Sequence, residues 1–318
     1  MADLSTDPFS PVRLGSVLLR NRVIKAATSE GRSPDGRVTD DLVDFHRSFA
    51  EGGVGMTTVA YCCVSPQGAS APGQIVMNGD ALPGLRKLTD AVHDAGAAIS
   101  AQLGHAGVVA PKKLTGVTAV APSRFVNPTS FAYCREIRRD EIASVIEQFA
   151  DAAQVAVRSG FDAVELHFGH LYLPSSFLSP LINRRKDEYG GDIDNRSRLV
   201  RQIARRVRDV VGDRIAVIAK LDMDDGLPGS IWIDEALRKL AETIGAPVVT
   251  DEMARGVLAE DHPLALGTAS FRAMPEVLAE ADVCVAVGTA FPEWSTVSWT
   301  MPVPQSLVHL SDDPGVFD

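Results

Sequence analysis

Two textures alternate along the first 235 residues. Short, nearly unbroken apolar runs carry the β-branched enrichment of buried strands: NRVIKAATS (21–29), VGMTTVAYCCV from Val54, AAISAQLGH (97–105), FDAVELHF (161–168) and RIAVIAKLD (214–222). Between them lie amphipathic stretches that predict helices over residues 39–51, 80–95, 140–159 and 195–211. Gly96 and Gly160 follow two of these helices, where a left-handed backbone closes the last turn. Strand and helix in regular alternation predict a parallel sheet covered on both faces. The segment containing APSRFVNPTS reads as a long loop before the third helix.

Beyond about Ile233 the texture changes. A helix (EALRKLAET), a short strand (PVVT), a Pro- and Gly-containing loop, a helix (PEVLAEA) and two strands (DVCVAVG and QSLVHLSDD) predict a small second α/β unit. No repeat of solenoid period and no low-complexity segment occurs.

At 318 residues, and about 150 residues per domain, the chain has room for two domains or one large α/β barrel. With 45% hydrophobic and 23% charged residues it reads as an ordinary globular protein. A formal charge of −10 argues against a broad nucleic-acid or anionic-membrane surface and toward small-molecule chemistry. The start, MADLSTDPFSPVRLG, lacks a basic stretch followed by an apolar one, which predicts a cytoplasmic protein. Cys62 and Cys63 are adjacent, while Cys134 and Cys284 stand alone, so the pattern suits reduced thiols. A homo-oligomer is left open.

Parallel α/β folds place ligands at the carboxyl ends of their strands, and the polar residues gather there. Gln102, His105, His167, His170 and Lys220 all lie in or just after the apolar runs, which predicts one convergent site. The Gln102 amide both donates and accepts, so it suits a heterocyclic edge such as the pyrimidine part of a flavin, or it anchors a loop. His167 and His170 suit an oxygen on which negative charge develops during hydride addition, with the nearby Tyr172 phenol as a proton source. Two structural histidines are the alternative. A metal site is disfavoured, because no third ligand follows at a recognisable spacing and HExxH is absent.

Five segments together resemble the old yellow enzyme family of FMN-dependent ene-reductases, the NADH:flavin oxidoreductases. They are NRVIKAATSEG, FAEGGVG, QLGHAG, VELHFGHLYLPSSFLSPLINRRKDEYGGDIDNRSR and AKLDMDDGLPG, spanning residues 8 to about 235. The resemblance implies a (β/α)8 barrel, FMN at the carboxyl ends of its strands, and NAD(P)H as the reductant for an activated alkene. It implies that Ala27, Ser29 and Ala60 approach the flavin, that Gln102 holds the pyrimidine edge, and that Lys220 holds the N1/C2 region. His167 and His170 would then bind the substrate's activating oxygen, and Tyr172 would donate the proton. Asn195, Arg196 and Arg198 would fasten the following helix. The family often has Arg where Lys220 stands, and Gly is usual at the position of Leu171.

The resemblance stops near residue 235. The family's last two βα units, including the Gly-Arg turn that grips the FMN phosphate, find no counterpart; AVGTA (286–290) lacks the arginine. Residues 235–318 resemble instead part of the central domain of thiamine diphosphate-dependent enzymes of the acetolactate synthase group. The matching segments are LAETIGAPVVTDEMARGVLAEDHPLALG, LAEADVCVAVGTAF and PQSLVHLSDDPGVF. That domain is Rossmann-like and does not itself hold thiamine diphosphate.

The sequence therefore predicts an incomplete old yellow enzyme-like FMN barrel over residues 1–234, holding about six strands, and a partial second unit over 235–318. Strands PVVT and VCVAVG either stand in for the missing units or belong to a separate module. The chain reads either as an FMN-dependent oxidoreductase or as a non-catalytic chimeric fragment.

Overall fold

The computed structural model describes residues 8–127, 130–222, 238–239, 241–242, 248–250, 261–268, 283–287 and 306–310. The chain divides into two compact units, Asp7–Ile231 and Met1–Thr6 together with Trp232–Asp318.

The first unit begins with an antiparallel hairpin, β1 (Val12–Leu14) and β2 (Val17–Leu19), turned at Gly15 with a φ of 57°. The short β3 (Ile24–Lys25) follows, then α1 (Asp40–Glu51). Thr39 caps α1 by accepting a hydrogen bond from the Leu42 amide, and Asp40 and Asp41 sit favourably in its first turn. β4 (Met56–Cys63) leads through β5 (Ile75–Val76) to α2 (Leu82–Asp94) and β6 (Ala98–Gly104).

After the one-turn α3 (Lys112–Thr115) comes a small sheet of β7 (Val120–Ala121), β8 (Phe125–Val126) and β9 (Tyr133–Glu136). Then α4 (Arg139–Ser159) stops at Gly160 with a φ of 88°, and β10 (Ala163–Phe168) begins. α5 (Leu173–Leu178), α6 (Ile193–Arg196), α7 (Arg198–Val211) and β11 (Ala216–Leu221) complete the unit. α7 buries Leu199, Val200, Ile203, Val207 and Val211, a stripe at helical spacing, and packs on α4.

The main sheet runs β11-β10-β6-β4-β3, all parallel, with β5 beside β4. This is a half-barrel of α/β type. The described residues contain five barrel strands, against about six expected from sequence; residues 223–237 lie outside the described residues. Met56, Ala98, Ala163 and Ala216, at the amino ends of four strands, pack against Val12, Leu14, Val17 and Leu19 of the hairpin. The hairpin thus closes the amino end, and the segments after Cys63, Gly104 and Phe168, with Asp222 after β11, lie at the other.

Two expectations are corrected. Of residues 21–29, only Ile24 and Lys25 join the sheet, opposite Met56 and Thr57. The Asn21 side chain binds the Val23 amide and the Gly53 carbonyl, and β4 changes register after Val59, so the pairing is held to two residues. The segment containing APSRFVNPTS is not a bare loop: β7 pairs with β9 and β8 pairs with β9 over a core of Val108, Ala119, Ala121, Cys134 and Ile182. Strands of two residues around Pro122 leave no alternating pattern to read.

In the second unit, residues 238–239 and 241–242 are helical. β12 (Val248–Thr250) pairs in parallel with β13 (Ala265–Thr268), and β14 (Val283–Val287) with β15 (Ser306–Leu310). LALG, read from sequence as loop, lies at β13; the predicted helix PEVLAEA lies outside the described residues.

Candidate active site

The carboxyl ends of β10 and β11 set the first pair of side chains. His167 and Lys220 are register partners, and Gln102 on β6 is the partner of Glu165 on β10. Side chains alternate along a strand, so Glu165 and His167 share a face with Ala163, which packs on the hairpin. Gln102 is buried and donates to Glu165 Oε1 at 2.7 Å, which leaves its carbonyl oxygen and one N–H for another partner.

His167 is 1% exposed, and its Nδ1 is buried without a hydrogen-bond partner. Burial first, then the charges of His170 and Lys220, push its pKa down to about 3, so the imidazole is neutral near pH 7. The turn after β10 folds His170 back toward it. His170 and Leu171 have φ of 60° and 54°, and the His170 amide donates to Asp222 Oδ2. A Cβ on Gly169 would stand 2.6 Å from Asp222 Oδ1, so glycine is required there for close approach.

Four aromatic rings converge. His167 lies 4.9 Å from His170 and 4.8 Å from Tyr172, centroid to centroid. Tyr61 adds an edge contact to Tyr172 at 5.4 Å and to His167 at 6.1 Å. Ala27 packs into the cluster of Ala60, Tyr61, Cys63 and Ala69 that Tyr172 also joins. Ser29, Glu30, Ala60, Tyr61 and Gln74 line a pocket next to it.

All eight residues singled out from sequence therefore lie in the unit that carries the half-barrel. The structure brings Ala27, Ala60 and Tyr172 into one cluster, Ser29 and Ala60 into one pocket, and His167, His170 and Tyr172 into one ring group. Gln102 lies two register positions from the His167–Lys220 pair. His105 instead anchors a loop: its Nδ1 accepts from the Gly107 amide at 3.1 Å, its carbonyl accepts from Leu173, and burial pushes its pKa to about 4. Arg196 and Arg198 fasten the chain before α7, donating to Leu178, Gly191 and Glu188 carbonyls.

Sequence reasoning missed Tyr61, Ser70, Gln74 and Glu165. Tyr61 was absorbed into an apolar strand, where the break in β4 register hides which face it takes. Ser70 and Gln74 gain significance only through a contact spanning 102 residues of chain.

Two family models match the chain. The NADH:flavin oxidoreductase / NADH oxidase family matches residues 7–262, most of its length. The chain belongs to this family. The second model, the thiamine pyrophosphate enzyme central domain, matches residues 229–318 and overlaps the first.

A 4,4'-dithiodibutanoate disulfide reductase from Rhodococcus erythropolis is 48% identical over 72% of this chain and 57% of its own. A solved old yellow enzyme homologue from Zymomonas mobilis, 29% identical, aligns over 72% of this chain and 67% of its own with a TM-score of 0.66. An Old Yellow Enzyme from Pichia sp. AKU4542, at 22% identity, shares the fold over 97% of this chain and 83% of its own with a TM-score of 0.72. The chain spans between 34% and 57% of the length of several curated relatives it matches.

The matched family is that of NADH:flavin oxidoreductases and NADH oxidases, so FMN is the group against which the site is tested. The described residues fit the flavin ring. Ala27 and Ala60 offer small side chains, Gln102 retains an unused donor and acceptor, Lys220 stands beside His167 as a cationic side chain, and buried His167 Nδ1 lacks a partner.

Proposed function

We propose that this chain carries the active site of an FMN-dependent NAD(P)H oxidoreductase that reduces an activated alkene, an α,β-unsaturated carbonyl or similar compound. The observation that carries the reading is the group of His167, His170 and Tyr172 rings beyond a parallel strand, with His167 held neutral. Bound FMN supplies hydride acceptance from NAD(P)H and hydride delivery to the substrate.

In this reading Gln102 and Lys220 hold the polar edge of the flavin, while Ala27, Ser29 and Ala60 line it. His167 and His170 donate hydrogen bonds to the activating oxygen, where charge builds as hydride arrives. A neutral imidazole donates without bringing a full charge into the pocket. Tyr172 hands its phenolic proton to the neighbouring carbon.

Anaerobic stopped-flow with FMN, NADPH and 2-cyclohexenone tests this. His167→Ala with His170→Ala is expected to lower kcat/KM for the enone about 10²-fold or more, and Tyr172→Phe to lower kcat by about 10²-fold. NADPH-driven flavin bleaching should persist in Tyr172→Phe. Enone turnover unchanged in the histidine double variant would defeat the assignment.

Domain organisation belongs to the same proposal. We read residues 1–234 as an old yellow enzyme-like barrel without its last two native units, and 235–318 as a partial Rossmann-like module. Each lost charge-assisted phosphate contact costs about 1.5–3 kcal/mol, so two or three would weaken FMN binding by several powers of ten. Fluorescence titration with FMN against riboflavin reads this directly: equal affinities mean no phosphate grip. No binding of either favours the non-catalytic fragment.

The 48% identity to a disulfide reductase favours a second reading, reductive cleavage of an organic disulfide to two thiols. NADPH consumption with 4,4'-dithiodibutanoate but not with enones would select it.

A further inference from the structure

We infer that Ser70 and Gln74 are positioning residues for the Tyr172 phenol, orienting it before proton transfer and stabilising its oxygen afterwards. This rests on the proton-donor role proposed for Tyr172.

Tyr172 is held at both ends. Its amide donates to Gly169 O at 3.2 Å, its carbonyl accepts from the Ser176 amide at 2.8 Å, and its ring packs against Tyr61 and His167. At the far end its hydroxyl donates to Ser70 Oγ at 3.1 Å. Ser70 is in turn clamped by one amide group: Gln74 Nε2 donates to Ser70 Oγ at 2.8 Å, while Gln74 Oε1 accepts from the amides of Ser70 at 2.8 Å and Ala71 at 3.2 Å. Gln74 also receives the Cys63 thiol, at 3.5 Å, which ties the clamp to the end of β4.

Ser70 Oγ therefore accepts two hydrogen bonds, and its own proton points at neither donor. That arrangement has a consequence for the reaction. When the Tyr172 O–H bond breaks and a C–H bond forms on the substrate, the electron pair stays on the phenolic oxygen. The second hydrogen equivalent would be the hydride that bound flavin, reduced by NAD(P)H, supplies under the proposed function. The oxygen is then an anion beside a hydroxyl, and Ser70 turns its proton toward it. A hydrogen bond to a charged acceptor is roughly twice as strong as one between neutral groups, so the contact strengthens as the proton leaves. Ser70 is partly exposed, so water can return a proton through it to Tyr172.

Two measurements test this. In protein labelled with 3-fluorotyrosine, the 19F resonance that Tyr172→Phe abolishes should move in Ser70→Ala and Gln74→Leu and stay in place in Ser70→Thr. In stopped-flow, Ser70→Ala should slow enone reduction about tenfold in kcat, with KM within twofold and NADPH-driven flavin bleaching unchanged; Ser70→Thr should restore the rate. An unmoved resonance, or equal slowing of both half-reactions, overturns the inference. A moved resonance in a parental protein that reduces no enone supports the positioning contact and overturns the alkene reading. Parental enone turnover with an unaltered Ser70→Ala rate does the reverse.

Discussion

Leu171 shows how one residue balances two opposing terms. Its φ of 54° costs a side chain bearing Cβ about 1–2 kcal/mol. Against that, Leu171 packs on the Val108, Ala119, Ala121, Cys134 and Ile182 cluster, and burying part of a leucine returns a similar amount. Leu171→Gly loses the packing but relieves the strain, whereas Leu171→Ala loses the packing and keeps the strain. Urea denaturation is therefore expected to find Leu171→Ala less stable than Leu171→Gly by about 1 kcal/mol, the reverse of the usual order. An alanine variant as stable as the glycine one would show that the backbone term is negligible. The family habit of glycine at this position, noted from sequence, thus acquires a physical reason in the turn that returns His170 to His167. Residues such as His167, Gln102 and Lys220 were legible because polar groups ending apolar runs stand out. Tyr61 and Ser70 were not, because nothing local distinguishes them from strand filler and loop.

The elements that sequence exposed are those long enough to repeat a pattern. α4, α7, β6, β10 and β11 fall close to their expected places, because each buries a full stripe or an unbroken run. β1, β2 and the β7-β9-β8 sheet escaped, and β3 was read too long, since two or three residues cannot display a period; their pairing is decided by distant partners. Packing between elements also carries a charge pair open to test. His93 at the end of α2 meets Asp162 before β10 at 2.8 Å, and the same carboxylate oxygen accepts from the Ile99 amide at 2.8 Å. The hydrogen bond that His93 donates to Asp162 raises the His93 pKa above its ordinary value. The stabilisation is then complete below the unfolded pKa of about 6.5 and is lost as pH rises through the raised folded value. Both side chains are partly solvated, so the effect stays below about 1 kcal/mol. Thermal unfolding should show the parental protein ahead of His93→Gln at about pH 6, with the gap closing by about pH 9; a gap that widens with pH would exclude the pair.

At the scale of the molecule, the two family matches meet between residues 229 and 262, around the place where the sequence itself changes texture. In the Asp7–Ile231 unit the edge strands carry exposed apolar residues, Ile24 on β3 at 39% and Leu221 on β11 at 48%. Unpaired edges with exposed apolar side chains are the part of this unit most open to association. The hairpin at its amino end works in the other direction. With Leu19, at 1% exposure, seated on Met56, Ala163 and Ala216, that end is closed by packed side chains among the described residues. Under the proposed function, reductant and substrate would share the opposite end as a single doorway and use it in turn. Steady-state plots of reciprocal rate against reciprocal NADPH at several enone concentrations should give parallel lines, with each compound inhibiting competitively against the other at high concentration; intersecting lines would mean that both are aboard at once. A few apolar residues in the first twenty positions would thereby dictate a two-stroke rhythm, load and discharge, for the whole catalyst.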